Sequence, residues 1–296
     1  MLTGSHGSRA AAVVGAGGFL GSSLCDALEE RGVQVHRFTR TWPAVRSGEP
    51  AAELGSVSTV FWAASQINPL LAEERPDLVA ADERHLADFL RALAARGLTP
   101  RTVLLSSGGT VYGNHGAPFH ESSPLHPASA YGRAKARLEA VLAENAARPT
   151  VVRISNAYGP GQPPAPGQGV IAHWLRAVAA ARPITVFGDL RTARDYVAVQ
   201  DVVSALARLH EHDGALPALN IGSGRATTLA EVRDVVLHVT GRPELPVRHE
   251  PARSFDVPAT WLDVSLARET IGWQPRVSLA EGVAATWSWL AENPRR

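Results

Sequence analysis

Tyr131 and Lys135 stand four residues apart in the run Tyr131-Gly132-Arg133-Ala134-Lys135, a spacing that puts both side chains on one face of a helix. An ammonium held beside a phenol favours the phenolate form. That makes a tyrosine usable as a proton donor or acceptor near neutral pH. Lys135 is also the sole lysine, since 28 of the 29 basic residues are arginine. In a chain so biased, a retained lysine points to a position that needs a compact ammonium on a flexible stem rather than a planar guanidinium fork. The competing reading is an incidental surface helix. Upstream, Ser106-Ser107-Gly108-Gly109-Thr110 follows the apolar Leu104-Leu105. The Thr110 hydroxyl there can hold a reacting oxygen, or it can simply stabilise a turn.

A second group of residues is suited to binding phosphate. Gly15, Gly18 and Gly21 follow the apolar run 11–14 and precede an amphipathic stretch containing Leu20, Leu24, Ala27 and Leu28. In such a turn the first glycine permits the bend, the second lets a pyrophosphate approach the backbone, and the third lets helix and strand pack closely. The free N–H groups of the helix N-terminus then face the phosphates. An acid at the end of the next strand would bind the ribose hydroxyls of NAD. The run Val33 to Arg40 contains none. Arg40, with Arg37, can instead meet a 2′-phosphate, which predicts NADP(H) in preference to NAD(H). The alternative is that both are solvated surface arginines.

These residues need a scaffold, and the hydrophobic periods supply one. Strands are predicted at 11–14, from Val33, at 59–63, 103–105 and 151–154, with helices to about Arg31, over 77–95 and over 131–147. Such alternation predicts an α/β fold with a Rossmann-type, doubly wound parallel sheet and its ligands at the strand C-terminal edge. The run Gly159 to Gly167, rich in proline and glycine, marks the domain boundary. Residues 1–165 form the dinucleotide-binding domain, and 166–296 a smaller C-terminal α/β domain, with segments near 190–212 packing back on the first. Later helices are expected near 169–181, 199–210, 228–239 and 278–291, and strands near 184–187 and 218–221.

Composition excludes several classes. The formal net charge is +1 over 296 residues, which is no footprint for nucleic acid. No apolar run reaches the length of a bilayer span, and the first nine residues lack a secretory core. One cysteine, Cys25, excludes a disulfide framework and a multi-cysteine metal site, so no metal is expected. The expectation is a cytoplasmic globular protein.

Seven motifs in order resemble the extended short-chain dehydrogenase/reductase family, specifically its nucleotide-sugar epimerases, dehydratases and ketoreductases. The family's GxxGxxG resembles Gly15, Gly18 and Gly21, and its YxxxK resembles Tyr131 and Lys135. A strand ending in two alanines matches Ala63 and Ala64, and LRxxNxYGPG matches Val152 to Gly161. GDGxxxRDYVxVxD matches Gly188 to Asp201, NIGSG is Asn220 to Gly224, and LGWxP appears as Ile271 to Pro275.

The resemblance implies that Thr110, Tyr131 and Lys135 are catalytic. It implies that Phe19, Leu20, Thr39, Ala63, Ala64, Ser106, Ile154 and Ser155 join the glycines around the cofactor. It also implies that Asn156, Arg194 and Arg253 bind a substrate diphosphate, with Val186 and Phe187 beside the nucleotide base. An ion pair of Arg194 with Asp189 or Asp195 is the plainer alternative.

Three departures stand out. Gly108 occupies the family's usual serine or threonine position, so Thr110 must take over. Gly109 and Thr110 replace the acidic pair of the dehydratases, which argues against dehydration. The stretch from Arg40 to Thr59 is short, so the third strand is abridged and the adenine pocket must differ. The reading is NADPH-dependent reduction of the C4 keto group of a nucleotide-activated, dTDP-linked 4-keto-6-deoxysugar. The alternatives are an NAD-dependent 4-epimerase and a non-catalytic NADP(H)-binding regulator. A homodimer through the helices at 77–95 and 131–147 is expected by the same resemblance.

Overall fold

The switch between side-chain periods of two and 3.6 becomes strand and helix in turn. A computed structural model describes residues 10–114, 116–165, 167–251 and 259–293. Its first half runs β1 (Ala10–Val14), α1 (Phe19–Glu29), β2 (Val35–Phe38), β3 (Val45–Arg46), β4 (Glu49–Pro50), β5 (Val57–Trp62), α2 (Pro69–Glu74), α3 (Pro76–Ala95), β6 (Arg101–Ser107), α4 (Ala130–Asn145) and β7 (Arg148–Ile154). Then come β8 (Asn156–Tyr158), α5 (Val170–Ala179), β9 (Ile184–Phe187), β10 (Ala193–Arg194), β11 (Tyr196–Ala198), α6 (Val199–Glu211) and β12 (Ala218–Ile221). The chain closes with β13 (Thr227–Thr228), α7 (Leu229–Thr240), β14 (Val247–Glu250), β15 (Ala259–Thr260), α8 (Ser265–Ile271) and α9 (Leu279–Glu292). No helix among the described residues is long and apolar enough to cross a membrane.

Six strands form one parallel sheet in the order β12-β7-β6-β5-β1-β2. Strand alternation divides two cores between its faces. Ala11, Val13, Val103, Leu105 and Val152 pack with Leu24 and Leu28 of α1 and Leu206 of α6. Ala10, Ala12, Val14, Leu104 and Val151 pack with Leu86, Phe89 and Leu90 of α3 and Leu138 of α4. A third core joins Trp174 and Leu175 of α5, Ile184 and Val186 of β9, Val232 and Val236 of α7, and Val283 of α9. This makes the smaller lobe. Cys25 lies in the α1 core, where burial pushes its thiol up to about 11, so it serves as packing.

Two expectations gain detail. The return to the large sheet is wider than 190–212: β12 pairs with β7, and Trp273, just after α8, is buried in the same core. A sequence cut at 165 misses this because β12 is a short apolar strand whose neighbour lies 67 positions earlier, at Val151 beside Ala218. The abridged crossover forms no strand outside β2 among the described residues, so β2 is the sheet edge and a small β3–β4 hairpin takes up the chain.

Several family-like motifs act as internal staples. Asp195, 1% exposed, accepts from Ser223 N at 2.6 Å, Ser223 Oγ at 2.7 Å, Ser155 Oγ at 3.1 Å, and Gly224 N and Leu262 N at 3.2 Å each. Burial pushes its carboxyl up, and these hydrogen bonds oppose the shift. A side chain on Gly222 would collide with Asp195 Oδ2. Asp201 likewise accepts from Arg276 N at 3.0 Å and Val277 N at 2.9 Å, while Trp273 Nε1 donates to the Asp201 carbonyl at 3.1 Å. Asp195→Asn turns an amide N–H₂ toward donors that need an acceptor. Leaving even one buried donor unpaired costs about 2 kcal/mol. The variant is expected to melt roughly 4–8 °C lower in a calorimetric scan.

Candidate active site

The first turn of α4 brings Tyr131 and Lys135 to the sheet edge. Ser129 caps the helix, its Oγ accepting from Gly132 N at 3.0 Å, and Glu73 Oε1 of α2 accepts from Ala130 N at 2.9 Å. A side chain on Gly132 would begin 2.6 Å from the Thr110 carbonyl oxygen. Glycine therefore lets α4 press against the loop after β6. Tyr131, Lys135 and Thr110 share one cavity, and the buried Lys135 ammonium lies 5.6 Å from the Tyr131 ring centroid. Thr110 Oγ1 is 3.5 Å from the Ser107 carbonyl oxygen, a loose bond that a ligand can replace. Gly108 is explained as well: a Cβ there would lie 2.6 Å from Leu262 Cδ1 and 3.0 Å from the Arg153 carbonyl oxygen. The Leu262 side chain takes the space that the family pattern's hydroxyl would need.

Beneath the pair lies a buried polar layer. Glu139, on the α4 face of Lys135 and one turn on, receives Arg153 Nη2 at 2.8 Å and a hydrogen bond from Ser106 Oγ. Arg153 Nη1 also donates to Tyr112 Oη at 2.9 Å and to the Glu121 carbonyl at 3.0 Å. Tyr112 Oη donates to Asn220 Oδ1 at 2.6 Å, and burial pushes its phenol up.

The cavity measures about 1190 Å³ and runs from the N-terminus of α1 to that of α5. Gly18, Phe19, Leu20 and Gly21 line the first end, with Ala63, Ser106, Ile154 and Ser155 beside them. Gly18 is an extended N-cap with no side-chain capping bond, so the first-turn N–H groups of α1 are open to an anion. A Cβ at Gly18 would meet nothing nearer than 3.4 Å, and one at Gly17 nothing nearer than 3.9 Å. Gly15 and Gly21 serve packing: a Cβ at Gly15 would lie 2.6 Å from Ala64 N, and one at Gly21 would strike the Gly15 carbonyl oxygen. Ala64 thus supports the turn from behind. This open, donor-rich turn fits the pyrophosphate of a dinucleotide. Thr39 stands beside it, its methyl 3.9 Å from the Cβ position of Gly17.

Three expected contacts need correction or fall outside view. Arg37 does not reach toward a 2′-phosphate: Nη2 pairs with Asp26 and with Glu29, both at 2.7 Å. Strand alternation turns Arg37 toward α1, whose carboxylates hold it. Arg40, exposed at the end of β2, has no such partner among the described residues. Val186 does not line the site; it is fully buried in the small lobe, and its β9 neighbours Thr185 and Phe187 face the cavity instead. Arg253 lies outside the described residues.

At the far end, Asn156 and Arg194 line the cavity. Asp189 is engaged by Arg191, and Asp195 by the donors named above. Sequence reasoning missed Gln162. It is 7% exposed and lines the cavity; Nε2 donates to the Ala157 carbonyl at 3.1 Å, while Oε1 is buried without a partner. Its signal lay in Gly161-Gln162-Pro163, which reads as a linker. Asp82 was also missed. It accepts from Ser65 Oγ at 2.7 Å and Gln66 N at 3.0 Å, fixing the loop after β5.

Residues 11–222 match the family model described as NAD dependent epimerase/dehydratase family. A UDP-glucose 4-epimerase of Mycolicibacterium smegmatis is 33% identical, over 93% of this chain and 96% of its own. A dTDP-6-deoxy-L-talose 4-dehydrogenase (NAD(P)(+)) of Kitasatospora kifunensis is 31% identical over 99% of both chains. Among solved structures, UDP-glucose 4-epimerase of Thermotoga maritima with UDP-glucose superposes with a TM-score of 0.84 at 29% identity, covering 97% of this chain and all of that one.

The pairing of Arg37 in β2 separates it from Arg40, just beyond the strand. Arg37→Ala is expected to leave the ratio of NADPH to NADH affinity within about twofold of the parent, because only an exposed ion pair is lost. Arg40→Ala is expected to lower that ratio by about tenfold, through loss of a charge-assisted contact. Titration calorimetry with both dinucleotides checks both outcomes.

Proposed function

The chain belongs to the NAD dependent epimerase/dehydratase family, and from that premise we propose that it reduces the C4 keto group of a nucleotide-activated 4-keto-6-deoxysugar, with dTDP as carrier and NADPH as reductant. Its relatives make it an enzyme that modifies nucleotide sugars by epimerase or reductase chemistry. The choice of reduction rests on the end of β2, where no carboxylate stands and Arg40 does. An acid there selects NAD, whereas an arginine accommodates a 2′-phosphate. An exchangeable NADPH suits net reduction. The full-length talose relative, by its name, acts at position 4 of a dTDP-6-deoxysugar.

A bound nicotinamide dinucleotide supplies the reducing equivalent. The chain's own groups manage the oxygen. Tyr131 gives its phenolic proton to the C4 oxygen, and Thr110 holds that oxygen by its hydroxyl. Lys135 keeps a positive field on the phenol and reaches the ribose hydroxyls of the cofactor. Asn156, Arg194 and Arg253 take the diphosphate of the substrate, and Phe187 flanks its base. Gly109 and Thr110 offer no acid–base pair for dehydration.

The second reading, a 4-epimerase, is favoured by the identity to the mycobacterial epimerase. Supplying dTDP-4-keto-6-deoxyglucose with NADPH separates the two. A reductase oxidises NADPH one for one with substrate. An epimerase interconverts UDP-glucose and UDP-galactose with no net cofactor consumption.

Tyr131→Phe is expected to lower kcat on the order of a hundredfold or more, with cofactor affinity nearly unchanged, because only the proton donor is lost. Steady-state kinetics beside a binding titration check this. Lys135→Arg keeps the charge but forces a wider, planar group into a site where lysine is only 6% exposed. It should fold normally, bind NADPH more weakly and turn over about a hundredfold more slowly, since a shift of about 1 Å can cost that much.

A further inference from the structure

The corner beyond the end of β2 is built from parts with no other evident use. Large hydrophobic side chains are normally inside. Among the described residues, the exposed large hydrophobics are Phe187, which lines the cavity, and Trp42, which is 57% exposed. Trp42 lies in the short crossover between β2 and the β3–β4 hairpin. Its backbone is tied to the phosphate turn through Thr39. Thr39 N donates to the Trp42 carbonyl at 2.9 Å, Trp42 N donates to Thr39 Oγ1 at 3.2 Å, and the Thr39 methyl is 3.9 Å from the Cβ position of Gly17. Arg46, the last residue of β3 before the tight Ser47-Gly48 turn with both residues at positive φ, sets its guanidinium carbon 5.7 Å from the Trp42 ring centroid. Neither Arg40 nor Arg46 has a carboxylate partner among the described residues, in contrast to Arg37, with its two carboxylates on α1.

In a dinucleotide fold, the adenosine half lies beyond the C-terminal ends of the first two strands, past the glycine turn. Among the described residues no further strand flanks β2, so the crossover itself must form that wall. An exposed indole offers a flat apolar face for a purine, and base–aromatic stacking is sequence-tolerant and substantial. The Arg46 guanidinium, 5.7 Å from the ring centroid, braces the indole by a cation–π contact and adds positive charge beside it that a phosphate can meet.

We propose that Trp42 is the stacking platform for the adenine of the dinucleotide, backed by Arg46, and that Arg46 and Arg40 together receive the adenosine 2′-phosphate. This rests on the dinucleotide reading above and identifies the residues that take the place of the abridged third strand. The platform discriminates for the purine, and the arginines for the phosphate.

The test uses the full chain and titration calorimetry with adenosine 2′,5′-bisphosphate, 5′-AMP and NADPH, so binding is read without turnover. The parent should bind the bisphosphate more tightly than AMP. Trp42→Ala should weaken all three ligands by about tenfold or more, and Trp42→Phe should recover most of the loss. Arg46→Ala should weaken the bisphosphate and NADPH severalfold while leaving AMP within about twofold. Unchanged melting temperatures would exclude a folding defect in these exposed positions. If Trp42→Ala binds all three ligands like the parent while the parent binds NADPH, the platform is wrong and the reductase reading stands. If Arg46→Ala weakens AMP as much as the bisphosphate, Arg46 has no phosphate role and that half of the proposal falls. A parent that binds none of the three overturns both readings together.

Discussion

The guanidinium of Arg153 lies under the cavity with its side chain 9% exposed, facing a Glu139 carboxylate whose side chain is 7% exposed. Two charges taken this far from water require close pairing and full hydrogen bonding, and breaking such a pair by removing one partner costs about 3–5 kcal/mol. Both conditions are met: Arg153 reaches Glu139, Tyr112 and the Glu121 carbonyl, and Ser106 supplies a further donor to Glu139. Arg153 belongs to β7, Ser106 to β6 and Glu139 to α4, so the pair fixes the rotation of α4 against two sheet strands. Tyr131, Lys135 and Glu139 follow at intervals of four on that helix. Rotation of α4 about its axis would move the phenol and the ammonium together, away from Thr110. The placement of Tyr131 and Lys135 at the rim depends on the ion pair in the floor.

The same economy runs through the motifs of the second half. Asp195 stands next to Arg194, a cavity residue, yet points inward and binds the segments at 155, 223–224 and 262. Asp201 holds the chain after Trp273 against α6. Asn220 receives Tyr112 Oη and donates to the Phe119 carbonyl at 2.9 Å, tying β12 to the loop after β6. Motif residues that read as a signature of function therefore divide by alternation. Those pointing out meet the ligand space, and their immediate neighbours pointing in hold the two lobes in the geometry that makes a ligand space at all.

The cavity has an anion-receptive helix terminus at one end and an arginine-bearing wall at the other, with Thr110, Tyr131 and Lys135 between. That order suits a dinucleotide and a nucleotide sugar meeting near Tyr131. Along the floor and walls, Ser106, Asn156 and Gln162 add neutral polar groups, and Oε1 of Gln162 is buried without a hydrogen-bond partner among the described residues. A buried acceptor of this kind is satisfied by a hydroxyl or N–H and rejects a ligand without one.

What could be read from the sequence was local. The Tyr131–Lys135 spacing, the glycine turn before α1, the alternation that built the parallel sheet, and the extents of β9 and β12 all depend on residues within a few positions of one another. Backbone geometry converts such spacing directly into shared faces. The resemblance of the ordered motifs added the site residues that no spacing marks. Tertiary structure decided the rest, because it rested on groups that arrive from elsewhere. Arg37 and Arg40 are equivalent in sequence until Asp26 and Glu29 of the neighbouring helix claim the first. Val186 and Phe187 are adjacent apolar residues until the position of the small core assigns one inward and the other to the cavity. Gly108 looks like the loss of a hydroxyl until Leu262, 154 positions on, fills the space that its side chain would need. A side chain's role is set by its nearest neighbours in space, and sequence order specifies only those the local backbone brings together.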